Sequence, residues 1–248
     1  MVTSSVATWV ADHQGIPRDI FNTTIPGDYC QPSASTTVED TIFMFWKYFS
    51  MNGANSYAWG TGILKSDFTV VDTQSVTHDL LWDPEATVIV GDYIYVYFLH
   101  DSLYGDGQDE LYVGRLPNNP ASFYDTARYM TYWNGRNFGM RSDKAVPIID
   151  QFGKQTSVVY NTFLKKFLLL DSGYANTLKI YESNSPYRDW TAKPAEIYSD
   201  LEGHLTQAYF MPNLFENGGQ TMYLSYVVAE PGDQVPHILK VNLIPGGQ

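Results

Sequence analysis

The 248-residue sequence is poor in cysteine, in positive charge and in helical periodicity. Its single cysteine, Cys30, excludes an intrachain disulfide, and with no mapped histidine partner it reads as structural. Lys and Arg number 15 against 27 Asp and Glu, a formal net charge of -12. A phosphate backbone wants a basic surface, so the composition argues against nucleic acid as a partner. No apolar run is long enough to cross a bilayer. The stretch Met1 to Ala11 lacks the basic region and apolar core of a signal peptide, which leaves the compartment open between the cytosol and a secreted mature form. Asn22-Thr23-Thr24 is a lone glycosylation sequon of small weight. His78, His100 and His204 are too scattered to form a zinc set, with His204 the one weak candidate for a metal. Ser157 is not in a nucleophile elbow, so a Ser-His-Asp hydrolase has no support. No motif calls for a cofactor, and a cation bound in a central channel stays open.

Aromatic and turn-forming residues are abundant instead. Aromatics make up 15% of the chain, with 19 Tyr and 6 Trp, and 19 Gly and 13 Pro punctuate it at short spacing. Tyr and Trp favour strands, and frequent Gly and Pro suit many short ones. Four segments repeat one plan of turn, strongly apolar strand, polar loop and shorter strand. They are Val38 to Trp46 followed by Tyr57 to Leu64, Gly91 to Phe98 followed by Glu110 to Leu116, Leu164 to Leu170 followed by Leu178 to Ser183, and Gly218 to Tyr226 followed by His237 to Leu243. A further apolar strand precedes three of them: Glu85 to Val90, Thr156 to Tyr160, and Gln207 to Met211. Gly91-Asp92, Asn161 and Asn217-Gly218-Gly219 supply the turns. The spacing of roughly 50–70 residues is that of one propeller blade. The expectation is an all-β, five-bladed β-propeller forming a single domain over 1–248, with the part up to Asp28 supplying an irregular blade or completing the last. A β-sandwich or jelly roll is the other architecture such strands allow.

In a propeller the inner strands surround a channel, and one mouth of it is the usual ligand site. The residues there include Asp19, Asp28 and Tyr29, then Trp82-Asp83-Pro84-Glu85, then Thr156, Ser157 and Tyr160, then Gln207 and Tyr209. Glu85 opens an apolar strand directly after Pro84, where a carboxylate could serve as general acid or base. Asp19 could be a second carboxylate, or simply the ion-pair partner of Arg18. Asp101 to Glu110 is acidic and Gly-rich but lacks the spacing of a calcium loop, and reads as a solvated loop.

Trp82-Asp83-Pro84-Glu85, with the apolar strand, Gly91-Asp92 and Tyr93 to Phe98 behind it, resembles the second-blade signature of the arabinanase and β-xylosidase superfamily of five-bladed glycoside hydrolases. Ser157 to Asn161 with Phe167 to Leu170, Tyr181 to Trp190, and Tyr209 to Pro212 also fit related propellers. The resemblance implies a base, a pKa-tuning aspartate and an acid glutamate from different blades. Asp19 would stand for the base and Glu85 for the second carboxylate. Where the acid is expected stand Thr156-Ser157, and the next inner strand offers Gln207, so an acid would have to arrive from a loop, through Asp150 or Glu202.

Three functions follow. One is a glycoside hydrolase with carboxylates at the channel mouth and aromatic residues such as Trp82 and Tyr160 stacked on sugar rings. Another is a biosynthetic propeller that guides cyclisation or cycloaddition of a small molecule in a pocket lined by Tyr29, Tyr160, Tyr209 and Gln207. The third is a sugar-binding module without catalysis, against which the differences between inner strands argue. The expected partner in each case is a small molecule or a glycan.

Overall fold

A computed structural model describes residues 29–49, 58–66, 69–76, 82–100, 109–153, 156–173, 176–199, 204–230 and 233–244. These residues form four antiparallel sheets arranged as the blades of a β-propeller. Blade 1 holds β1 (Tyr29–Val38), β2 (Thr41–Phe49), β3 (Ala58–Lys65) and β4 (Val70–Val76). Blade 2 holds β5 (Trp82–Val90), β6 (Tyr93–His100), β7 (Asp109–Pro117), β8 (Thr131–Trp133) and β9 (Phe138–Gly139), with β10 (Ile149–Phe152) paired to β7. Blade 3 holds β11 (Thr156–Asn161), β12 (Lys166–Gly173), β13 (Thr177–Ser183) and β14 (Ala195–Ser199). Blade 4 holds β15 (His204–Phe210), β16 (Thr221–Glu230) and β17 (Asp233–Asn242). Two short helices, α1 (Pro120–Tyr124) and α2 (Thr126–Tyr129), lie between β7 and β8.

The four repeated segments are β2–β3, β6–β7, β12–β13 and β16–β17, so the sequence repeat is the blade repeat. The expected count of five blades is corrected to four among the described residues. The long interval between β6 and β12 yields no extra blade, because its short strands β8, β9 and β10 add onto the second sheet. The segment up to Asp28, expected to supply an irregular blade, lies outside the described residues.

Local chemistry sets the turns. Val90 pairs Tyr93 across the two-residue loop Gly91-Asp92, and Gly91 has φ +57°, the left-handed backbone that such loops require. The apolar run Phe167-Leu168-Leu169-Leu170 is continuous because β12 buries both faces. Alternation sends Leu168 and Leu170 toward blade 4, with Leu224 and Val228, and Leu169 toward blade 2, with Tyr97 and Val113. A third cluster joins blades 1 and 2, where Phe43 stacks on Phe123 of α1 at 3.8 Å. The segment after β13 clamps blade 3 to blade 2. The Tyr97 hydroxyl donates to the Pro186 carbonyl at 2.6 Å, and Tyr187 stacks on Tyr95 at 5.9 Å.

Inner strands meet one another directly. Thr87 Oγ1 on β5 donates to the Ser35 carbonyl on β1 at 2.7 Å, and the Phe210 amide on β15 donates to Ser157 Oγ on β11 at 3.2 Å. These hydroxyls tie neighbouring blades around the central channel. Among the described residues no helix is long and apolar enough to cross a membrane.

Candidate active site

Three of the four inner strands are broken by a β-bulge at one level. The breaks fall between Pro32 and Ser35, between Pro84 and Ala86, and between Thr206 and Tyr209. Proline offers no N–H to the ladder, so Pro32 and Pro84 interrupt pairing where they stand, and the extra residue follows. In β15 the interruption falls at Gln207, whose φ is +52°, an uncommon backbone for a residue with a Cβ. Bulges re-aim side chains and collect beside functional sites.

Register with the central strands shows what shares that level. Glu85 is the bulge residue of β5, between rows paired to Phe98 and Tyr97. Ser157 pairs Leu170, and Tyr209 pairs Ser225. Each partner lies about five residues along its central strand, so Glu85, Ser157, Gln207 and Tyr209 stand at the same height around the channel. Tyr29, Trp82 and His204 begin their strands opposite Phe49, His100 and Ala229, and so occupy the mouth above that level. Tyr160 pairs Phe167 near the opposite, turn end, about 10 Å below Ser157 at 3.3 Å per residue. It packs edge-on against Phe167 at 5.0 Å and is 47% exposed. Asp19 lies outside the described residues, as does Glu202.

Glu85 is buried, at 5% exposure. Asp83, two residues earlier, is half-buried. Ser157 accepts the Phe210 amide, and Tyr209 is 36% exposed. Among the described residues no three His, Cys, Asp or Glu gather as a metal would need.

The structure adds residues that sequence reading passed over. Asp171 ends the leucine run of β12 and pairs Thr156. It is 1% exposed and accepts the Gly153 amide at 3.0 Å. Burial raises its carboxyl to about 6, against the smaller opposing effects of that amide and of Lys179. Thr156 beside it is fully buried, with no hydrogen-bond partner for its hydroxyl among the described residues. Asp109, read from the sequence as near the end of a solvated loop, instead begins β7 and is buried. At the same upper end of blade 2, Tyr112 donates to Glu110 at 2.5 Å and meets the His100 ring at 6.0 Å. Burial first, then the bond to Glu110 and the charges of Glu110 and Asp150, raise the Tyr112 phenol well above its usual range. Asp150 is therefore beside this group, exposed on β10. Only Asp171 had a sequence signal, a carboxylate directly after three leucines.

No family model and no curated protein matches the chain. Among solved structures it is similar to a candidate hydrolase from Bacteroides ovatus, at 12% identity and TM-score 0.61, over 80% of this chain and 54% of that one. The chain thus spans about half the length of that protein. It is also similar to a thermostable family-43 glycoside hydrolase, at 12% identity and TM-score 0.54, over 87% of this chain and 72% of the other. At such identities the likeness is one of fold, a β-propeller that a family-43 glycoside hydrolase shares.

Proposed function

We propose that the protein is a propeller glycoside hydrolase whose reaction centre lies at the bulge level of the inner strands. The observation that carries this reading is Glu85, a carboxylate buried at a bulge of an inner strand, in a fold shared with a family-43 glycoside hydrolase. Glycosidic cleavage needs one carboxylic acid to protonate the leaving oxygen and one carboxylate to activate water or attack. Asp19 serves as the base that activates water, giving hydrolysis with inversion, and Glu85 as the second carboxylate of the reaction centre, beside the reacting bond. The proton for the leaving group comes from outside the inner strands, and Asp150, exposed beside the Glu110–Tyr112 pair, is its source among the described residues. Tyr209 offers a ring to a sugar at the bulge level, Ser157 and Gln207 a hydroxyl and an amide to its hydroxyls, and Tyr29 and Trp82 are the aromatic residues at the mouth; Tyr160, at the far end, lies outside this site. The substrate is a glycan with furanose or pyranose residues.

The test is product analysis by anion-exchange chromatography after incubation with arabinans, xylans, pectic fragments and fungal glucans. The expected result is release of mono- or oligosaccharides from at least one of them. No release from any by protein with intact near-ultraviolet circular dichroism would overturn the reading.

One observation favours a second reading. At the level of Glu85, the next two inner strands bear Ser157 and Gln207 rather than carboxylates. A hydroxyl and an amide suit a site that holds and folds a reactive small molecule, as a cyclase or cycloaddition enzyme does. That reading predicts an inert protein on every glycan and saturable binding of apolar polycyclic products.

A further inference from the structure

A cavity opens at the other end of the molecule from the bulge level. It lies between blades 3 and 4 and measures about 280 Å³. Leu164 sits in the turn before β12, Leu168 is the third residue of β12, and Met222 is the second of β16, so the cavity belongs to the turn end of the blades. Its volume approaches the lower bound of small-molecule sites. Its walls are aliphatic, with Ile180 and Val241 beside those three residues, and offer dispersion contacts to an apolar ligand.

Charge decides which apolar molecule fits. The cavity has two charged residues in its lining, Glu182 and Lys193. Lys166 donates to Glu182 at 2.5 Å and neutralises it. Lys193 makes no ion pair among the described residues, so one positive charge is left uncompensated at the rim. The Thr191 hydroxyl, which accepts the Glu182 amide at 3.1 Å, keeps its own proton to donate beside that charge.

We propose that this cavity binds a small apolar monocarboxylate, with the alkyl chain among the aliphatic side chains and the carboxylate on Lys193 and Thr191. The site shares no residue with the bulge level and stands apart from the hydrolase reading. It is tested by isothermal titration of the full chain with decanoate and, separately, with 1-decanol. Decanoate should bind saturably at one site, and decanol about fivefold more weakly. Lys193→Gln should weaken decanoate about fivefold, the size of a partly exposed ion pair, and leave decanol unchanged. Ala195→Phe, which fills the cavity from β14, should weaken both at least tenfold without lowering the Tm, and Ile197→Trp serves if that variant does not fold. Absence of saturable binding to folded wild type, or binding indifferent to both cavity-filling variants, would overturn the site. Equal affinity for decanoate and decanol with no effect of Lys193→Gln would overturn the anionic assignment.

Discussion

Asp171 follows three leucines, and its backbone is that of an ordinary strand residue. Burial makes it unusual. Its carboxyl is raised from 3.8 to about 6, so the fold favours the neutral form. The stability that this preference contributes is complete below the unfolded value near 3.8 and is lost as pH rises through about 6. A shift of that size corresponds to about 3 kcal/mol at most. Asp171→Asn, which keeps an oxygen for the Gly153 amide, should remove this dependence. Urea midpoints at pH 4.5 and pH 8 should then show wild type losing stability relative to the variant toward the higher pH, and parallel behaviour would refute the assignment. Glu85 illustrates the complementary case. A glutamate opening a strand after proline reads equally well as a solvated strand end, whereas in the fold it stands at a bulge of a strand flanked by β1 and β11, at 5% exposure.

The hairpin turns separate two kinds of glycine. Gly91 has φ +57° and nothing within 4 Å of where a Cβ would stand, so Gly91→Ala should cost only the left-handed backbone, about 1 kcal/mol. Gly219 has φ +93°, and a Cβ there would lie 2.6 Å from Asn161 Nδ2. Asn161 cannot yield freely. It donates to the Gly219 carbonyl at 2.8 Å and accepts the Leu164 amide at 2.9 Å, joining the turns of blades 3 and 4. Gly219→Ala should therefore cost about 2–3 kcal/mol and lower the Tm more than Gly91→Ala in the same scan. These turns were legible in the sequence because Gly-Asp and Asn-Gly-Gly between apolar runs leave little choice of backbone. The elements β8 to β10, α1 and α2 were not. They are two to five residues long, too short for any periodicity, and they exist through contacts with blades 1 and 2. The bulges were half legible: Pro32 and Pro84 announce a break, whereas nothing in Thr206-Gln207-Ala208 does.

At the scale of the whole molecule the blades hold together through seams, and the seam between blades 1 and 2 is rich in aromatic rings. Phe123 is fully buried there, stacked on Phe43 and tilted against Phe45 at 6.1 Å. Phe123→Ala should cost about 3–5 kcal/mol, readable as a drop in the denaturant midpoint, although the residue lies on a five-residue helix. The blade repeat itself was plain from spacing, yet spacing overcounted blades, since the long interval between β6 and β12 is spent widening blade 2. The site was legible to the same partial degree. Sequence order pointed to the inner strands, and register places Glu85, Ser157, Gln207 and Tyr209 at one height, Tyr29, Trp82 and His204 above it, and Tyr160 at the far end.

The most direct measurement is the turnover of Glu85→Gln against wild type on whichever glycan or aryl glycoside the wild type cleaves, with both proteins shown to unfold at the same temperature. Loss of a carboxylate that acts on the glycosidic bond predicts a fall in kcat of about 10²–10⁴-fold with KM little changed. Turnover within twofold of wild type would contradict the account and remove the channel carboxylate from the chemistry.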